Sequence, residues 1–311
     1  MIRFKVFRGS RLLLLLAVLL LAAVAGAILL LSAATGIPQP DRAAARLVDA
    51  EVEAEALEAF ASSDSLGADV VAPESAVSNP AASVLGDAPT VLIYHTHTHE
   101  AYEQVSGDPY EALEAWRTAD SDHSVVRVGE ALAGHLRAHG FEVVHDTTDH
   151  EGDSLSTAYT RSLETLRGYD RAFDLYIDLH RDAYSGEMPL RTLARDGTAC
   201  AQAMLLIGNG EGFEEKPFTA QNLLFAKALT RRINRENPGL CREVLVKDGR
   251  YNQHVGVFSV LIEVGHNRNT LEEALNTTQY IADAIYSLLL DDPDPAVETV
   301  RREAQEQRAS Q

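Results

Sequence analysis

Three alternating histidines and one glutamate, His95, His97, His99 and Glu100, lie within six residues of the sequence. Neutral imidazole nitrogens and carboxylate oxygens are the ligand types that suit a catalytic zinc ion. Surface histidines in a polar loop are the alternative explanation. Because three histidines and a carboxylate occur together after an apolar segment, the sequence favours a metal site at this point of the chain.

Three apolar segments would position the reactive side chains. The histidine group follows the segment 91–94, His180 ends the segment 175–179, and Glu263 lies near the end of the segment 257–264. Apolar runs of this length are typical of buried strands in a parallel sheet. Because the C-terminal ends of parallel strands share one edge, where open α/β folds place their sites, we expect these side chains to converge.

Strand-like and helix-like segments alternate over residues 90–290. Helical spacing is found over 124–139, 219–236 and 270–290, and further strand-like segments cover 141–145, 204–207 and 244–246. This alternation predicts a single α/β domain with a mainly parallel or mixed sheet flanked by helices. The charged segment that follows it, 291–311, is expected to be a mobile tail.

The N-terminal part of the chain has the pattern of a membrane anchor and a spacer. Residues 1–11 are basic, and the following segment, 12–31, contains no charged or polar side chain. A run of about 20 apolar residues can cross a bilayer as one helix, and its basic flank faces the cytoplasm. We therefore expect a single transmembrane anchor at 12–36 in the cytoplasmic membrane, with a cleaved signal peptide as the alternative. A flexible Ala-, Pro- and acid-rich spacer at 37–89 would then hold the domain on the extracytoplasmic, periplasmic or wall-facing, side.

The charge balance disfavours a nucleic-acid partner. The chain has 27 Lys and Arg residues against 46 Asp and Glu residues, a formal net charge of −19. Binding to a phosphate backbone requires clustered basic side chains, which this composition does not supply. The sequence also lacks the Gly-x-Ser-x-Gly and His-Glu-x-x-His motifs of serine α/β-hydrolases and common zinc peptidases.

Several short motifs in a fixed order resemble those of the stage II sporulation protein P family. They are HTHTHEAY from position 95, DLHRDA from 178, YNQ from 251 and EVG from 263. The resemblance covers about residues 90–290 and implies a fold similar to that of zinc-dependent N-acetylmuramoyl-L-alanine amidases. It implies a membrane-anchored peptidoglycan hydrolase that cleaves the amide between N-acetylmuramic acid and the L-alanine of the stem peptide. Cleavage of peptide cross-links and wall-remodelling partner proteins are further implications.

Amidase chemistry of this kind needs about three zinc ligands and a separate general acid/base. We expect His97 and His180 to bind the zinc ion (Zn²⁺), with Glu100 as the third ligand and His95 as its substitute. Glu263 is the expected general acid/base, because burial in an apolar strand would raise its pKa.

Four other residues are expected near the site. Arg181 and Asp182 directly follow His180 and would orient ligands or contact substrate. Asn252 and Gln253 would either hydrogen-bond a peptide or sugar, or cap a turn. Two other functions stay open on the sequence alone: a non-catalytic wall-binding regulator of a partner hydrolase, and a zinc peptidase or deacetylase of another class.

Overall fold

The computed structural model describes residues 88–152 and 154–309. Eight strands, five α-helices and three short helical turns follow one another in these residues. In chain order they are β1 (Thr90–Tyr94), α1 (Val125–Ala138), β2 (Glu142–His145), a 3₁₀ turn (Leu155–Thr157), α2 (Ala158–Gly168), β3 (Leu175–Asp182), β4 (Thr192–Leu193), β5 (Ala199–Cys200), β6 (Ala203–Gly208), α3 (Thr219–Glu236), β7 (Leu245–Lys247), a 3₁₀ turn (Gln253–Val255), β8 (Ser259–His266), α4 (Leu271–Tyr286), a π-helical turn (Ser287–Asp291) and α5 (Pro295–Ala309).

Six of the strands form one mixed sheet in the order β2-β1-β3-β8-β6-β7. The first four strands of this order are parallel, β6 runs antiparallel to β8, and β7 is parallel to β6. Strand β3 thus lies between β1 and β8, and its register places Asp178 beside Tyr94 and His180 beside Glu263. The ends of the three strands that carry the predicted site residues are therefore neighbours, and the mixed α/β architecture is confirmed.

Side chains alternate between the two faces of the sheet, and each face packs against different helices. Val91 and Ile93 belong to the large core that the sheet forms with α1, α3 and α4. Leu92 and Tyr94 belong to a smaller core that includes Leu166 of α2. By the same alternation Asp178, His180 and Glu263 project from the α2 face of the sheet.

A β-bulge changes the end of β8. The register moves from His180 opposite Glu263 to Asp182 opposite His266, so that β8 contains one extra residue between the two pairs. Gly265 in this interval has a φ of 77°, and a Cβ atom there would lie 2.5 Å from the Cβ atom of Ala201. Only glycine fits this position, and the bulge re-aims the strand just after Glu263.

Two parts of the described structure differ from the expectations. The segment predicted as a mobile tail contains helix α5, whose Val297 is 1% exposed and joins the main core. Helix α2, which covers the site face, lies in a stretch that the sequence left without an assigned element. Its buried positions follow regular helical spacing, but two of them are the small Ala158 and the polar Ser162, and only Leu166 is a large apolar residue.

The predicted flank, anchor and nearly all of the spacer, residues 1–87, lie outside the described residues. Within the described ranges no helix combines the length and apolar character that crossing a membrane requires. Cys200 and Cys241 are buried free thiols.

Candidate active site

His97 lies just beyond β1, and its ring is oriented by a carboxylate that the sequence did not single out. The Nδ1 atom of His97 is 3.2 Å from Oε1 of Glu151, which lies in the loop after β2. An ionised carboxylate can only accept hydrogen bonds, so Nδ1–H is the donor. In the neutral ring this leaves the lone pair on Nε2, the tautomer that a metal ligand needs.

The carboxylate of Glu151 accepts hydrogen bonds from three side chains. Besides His97 it accepts hydrogen bonds from His99 Nδ1 at 2.7 Å and from Arg117 Nη2 at 2.6 Å. The residue is only 2% exposed. Burial would raise the pKa of Glu151, but the hydrogen bonds from His97 and His99 and the charge of Arg117 lower it, so the carboxylate is ionised.

His180, on β3, lies between two carboxylates. Its Nδ1 atom is 3.3 Å from Glu100 Oε2, and its Nε2 atom is 2.9 Å from Asp178 Oδ1 but is not aligned with it as a hydrogen bond. Burial would lower the pKa of His180, yet Asp178 and Glu100 raise it well above its usual value. The ring centroids of His180 and His97 are 5.5 Å apart, so the structure brings these two predicted ligands together.

Glu100 lies beside His180 and is held there by the backbone of the next residue, Arg181. Its Oε2 accepts a hydrogen bond from the backbone N–H of Arg181 at 3.0 Å. Burial would raise the pKa of Glu100, but the adjacent His180 lowers it to about 2. Glu100 is therefore an ionised carboxylate beside His180.

Glu263 faces His180 across the pair of strands β3 and β8. The Oε2 atom of Glu263 is buried and has no hydrogen-bond partner among the described residues. Burial and the charge of Asp182 raise the pKa of Glu263 well above its usual value.

His95 is separated from the other predicted ligands. It follows Val91 and Ile93 on the α1 face of the sheet, whereas His180 and Glu263 are on the α2 face. Its Nδ1 donates to the carbonyl oxygen of Leu179 at 2.8 Å, and its Nε2 is 2.9 Å from Nε2 of His145. Burial and the nearby His145 lower its pKa to about 3. Both ring nitrogens of His95 are thus engaged within the protein.

The two residues after His180 hold neighbouring loops in place. Arg181 is 9% exposed and donates from Nε to the carbonyl oxygen of Ala101 and from Nη2 to that of Trp116, each at 3.1 Å. Asp182 pairs with Arg242 through its Oδ2 atom. Arg181 therefore fixes the loop that contains Glu100, and Asp182 adds negative charge near Glu263.

Asn252 and Gln253 are buried and bonded to other parts of the domain. Asn252 Nδ2 donates to the carbonyl oxygen of Tyr159 at 2.8 Å and to Ser162 Oγ at 2.9 Å. The side-chain amide of Gln253 accepts from Gly208 N at 2.9 Å and donates to the carbonyl oxygen of Leu206 at 2.8 Å. Of the two roles expected for this pair, the structural one accounts for these bonds.

Among the described residues, one group of three metal-binding side chains has its potential ligand atoms within 4.8 Å of one another, and it consists of His99, Asp149 and Glu151. Arg117 already pairs with Glu151 in this group, so a bound cation would have to compete with its guanidinium charge. The predicted ligands His97, Glu100 and His180 do not form a second group of this kind within the described residues, although His180 lies beside both His97 and Glu100. Their two imidazoles and one carboxylate are donor types that suit a catalytic zinc ion, but binding one would require the three side chains to move closer together.

The sequence alone assigned no role to Glu151 or to Asp178. The carboxylate of Asp178 accepts two hydrogen bonds from Thr96, one from its backbone N–H at 2.8 Å and one from its Oγ1 hydroxyl at 2.7 Å. These bonds fix the turn that leads from β1 to His97. Glu151 follows β2, whose C-terminal end lies at the same edge of the sheet as that of β1, because the two strands are parallel neighbours. This pairing is seen only in the structure.

Comparison with known proteins identifies the family. The family model for stage II sporulation protein P matches residues 37–286, most of the chain. The chain belongs to this family. It is 26% identical over 236 residues to the stage II sporulation protein P of Bacillus subtilis (strain 168), a match that covers 70% of this chain and 55% of that protein. The chain thus spans about half the length of the curated relative that it matches.

Solved structures similar to the domain include two clostridial amidases. The N-acetylmuramoyl-L-alanine amidase from Clostridium difficile 630 is 14% identical, with a TM-score of 0.41, 67% of this chain covered and 100% of that chain. The CwlD amidase from Clostridioides difficile, in complex with the GerS lipoprotein, is 17% identical, with a TM-score of 0.37, 64% of this chain covered and 94% of that chain. The membership in the family rests on the sequence match and not on these superpositions.

Proposed function

We propose that this chain is a membrane-anchored, zinc-dependent peptidoglycan hydrolase that cleaves the amide between N-acetylmuramic acid and the L-alanine of the stem peptide. The observation that carries the proposal is the buried Glu263 Oε2, which has no partner among the described residues and faces His180. Family membership supports the same conclusion. Cleavage of peptide cross-links is a further activity to be tested on the same substrate.

His97, Glu100 and His180 would hold the zinc ion. When bound, a zinc ion lowers the pKa of a coordinated water toward about 7 and polarises the amide carbonyl. The chain's own residues prepare this set without the ion. Glu151 fixes the tautomer of His97, and the backbone N–H of Arg181 fixes Glu100.

Glu263 would be the proton carrier. Hydrolysis of an amide adds water across the C–N bond, so one proton must leave the water and one must reach the amine nitrogen. Glu263 Oε2 can accept the first and deliver the second, since no described residue hydrogen-bonds that atom. Both protons balance, and the carboxylate returns to its starting state.

The first experiment measures metal content and turnover of the full-length chain on purified sacculi. We expect about one zinc ion per chain, loss of activity with a chelator and recovery with zinc. Mass spectrometry should find intact glycan strands and peptides with free L-alanine N-termini. A chain that lacks zinc and digests sacculi regardless of chelator contradicts the mechanism, and zinc binding without turnover favours a wall-binding regulator.

Two variants separate the roles within the site. His180→Ala should abolish zinc binding, whereas Glu263→Gln should retain zinc and lose at least about 10² in rate, because general acid/base steps contribute about 10²–10⁴. His139→Ala is the matched control, since His139 lies at the end of α1 and its imidazole pairs with the exposed Asp283. Equal zinc loss in the Glu263 and His180 variants would make Glu263 a ligand instead.

Anchoring through residues 12–36, with the domain outside the cytoplasm, is part of the proposal. The apolar segment and its basic flank support it. Protease treatment of intact spheroplasts tests it, because a protease added outside should remove the domain only if that domain is extracytoplasmic.

A further inference from the structure

The loop before β8 has a strained backbone at two successive residues. Tyr251 and Asn252 have φ angles of 46° and 52°, in the left-handed region that favours glycine. Asparagine tolerates this region, but tyrosine rarely adopts it. A conformation of this kind persists only where the surrounding contacts fix it, and such positions cluster at functional sites.

The contacts that fix the loop come from three directions. Asn252 ties it to the first turns of α2, and Gln253 ties it to the end of β6, through the bonds described above. Asn222 of α3 donates from Nδ2 to the carbonyl oxygen of Gln253 at 2.9 Å. The backbone on the C-terminal side of Tyr251 is therefore held independently of the tyrosine side chain.

The ring of Tyr251 is thereby placed one ring away from His97. It lies edge to face with Tyr159 at 5.7 Å between centroids, and Tyr159 lies edge to face with His97 at 5.8 Å. It also packs on the bare backbone of Gly208, where a Cβ atom would be 2.9 Å from Tyr251 Cδ2. The rings of Tyr251, Tyr159, His97 and His180 form a continuous row that ends opposite Glu263.

The hydroxyl of Tyr251 is available to a ligand. The side chain is partly exposed, and none of the hydrogen bonds among the described residues uses its oxygen. Burial and the charges of Asp248 and Glu263 raise the pKa of Tyr251 to about 12, so the phenol keeps its proton and can donate it in a hydrogen bond.

We propose that Tyr251 binds the substrate beside the scissile amide, its hydroxyl donating to a carbonyl oxygen and its ring lying against the apolar lactyl or alanyl group. The inference rests on the proposed function. It gives a role to a tyrosine at a backbone position that glycine or asparagine would adopt more readily.

The test compares binding in a catalytically inert background. The full-length Glu263→Gln chain, with zinc, is titrated with N-acetylmuramoyl-L-alanyl-D-isoglutamine, and the titration is repeated after adding Tyr251→Phe. Loss of one neutral hydrogen bond should weaken binding about three- to tenfold, with the melting temperature and zinc content unchanged. Tyr280→Phe is the matched control, because Tyr280 lies on α4 and its hydroxyl donates to Asp196 at 2.8 Å, in the turn between β4 and β5.

The same substitution in the active chain gives a second readout. Tyr251→Phe should raise KM or lower kcat/KM on muramoyl peptides by the same factor, whereas Tyr280→Phe should leave both unchanged. Equal binding by the parent and Tyr251→Phe chains, or equal weakening by Tyr280→Phe, overturns the proposal. So does failure of the parent to bind the probe while the wild-type chain still digests sacculi. If the wild-type chain digests no sacculi, the proposed function itself fails.

Discussion

Replacing Glu151 by glutamine tests whether this carboxylate sets the metal-binding tautomer of His97. The amide oxygen can keep the hydrogen bonds from His99 and Arg117, which both reach Oε2. The amide NH₂ would then face Nδ1 of His97, which is now a donor. To avoid two opposed donors, the ring must move its proton to Nε2, and Nε2 would no longer offer a lone pair.

The expected magnitudes follow from the contacts that are lost. One charge-assisted hydrogen bond and the charge opposite Arg117 are removed from a buried site, at a cost of about 2–3 kcal/mol of unfolding free energy. For a domain of this size that corresponds to a fall of about 5–10 °C in Tm. Loss of a carboxylate that orients a metal-binding histidine lowers metal affinity about 10–100-fold.

Two measurements on the full-length Glu151→Gln chain check these values. Competition with a chromophoric chelator gives the zinc affinity, and ¹⁵N NMR of the imidazole nitrogens gives the tautomer of His97. Asp283→Asn is the matched control, since it removes a carboxylate from His139 at an exposed pair and should change Tm by less than about 1 °C. Unchanged zinc affinity with a shifted Tm would refute the tautomer argument and leave Glu151 a purely structural residue.

Two other predictions concern stability. Gly129→Ala on α1 would bring a Cβ atom within 2.6 Å of His95 Nε2 and should lower the free energy of unfolding by about 1–3 kcal/mol. Gly134→Ala on the same helix has no atom within 4 Å of the new Cβ and should raise the free energy of unfolding by about 0.5–1 kcal/mol. Urea unfolding of both variants measures the difference, and equal effects would contradict the packing argument. Asp146 accepts a hydrogen bond from Tyr169 at 2.6 Å, and although burial opposes it, this bond contributes to a lowered pKa of the carboxyl. Because the folded pKa is below the unfolded value, its stabilisation is complete above the unfolded pKa near 3.8 and is lost as the pH falls through the folded value. Asp146→Asn should therefore destabilise by less than about 1 kcal/mol at pH 7, and this difference should vanish in acid; a difference that grows in acid would reverse the sign of the argument.

The strands that carry the site could be predicted because apolar runs ended in reactive side chains. The runs before His97, His180 and Glu263 correspond to β1, β3 and β8, and the predicted adjacency of their ends requires only parallel pairing. The direction of β6 could not be predicted in this way. An apolar strand has the same composition in either direction, and β6 runs antiparallel to β8 because the chain re-enters the sheet after the β4–β5 hairpin.

The separation of His95 was accessible from the sequence, whereas the role of Glu151 depended on topology. Two-residue alternation puts His95, the first residue after β1, on the face of Val91 and Ile93, away from Tyr94, whereas His97 lies far enough beyond the strand for this alternation no longer to apply. Glu151 follows β2, an edge strand of four residues whose side chains are half-buried or exposed, so no strong apolar run pointed to it. Its importance appears only when β2 is known to pair with β1.

Asn252 and Gln253 are polar residues near the site whose hydrogen bonds hold other parts of the domain in place. The amide of Gln253 reaches both a backbone N–H and a carbonyl at the end of β6, and so extends the strand's hydrogen bonding with a side chain. Asn252 joins the same loop to α2. Helix α2 and the loop before β8 are therefore joined by hydrogen bonds, with Tyr159 on the helix and Tyr251 on the loop. Substitution of Asn252 should displace both tyrosines together, because its amide joins the Tyr251 loop to α2. A direct substrate contact by Asn252 would not produce this coupling.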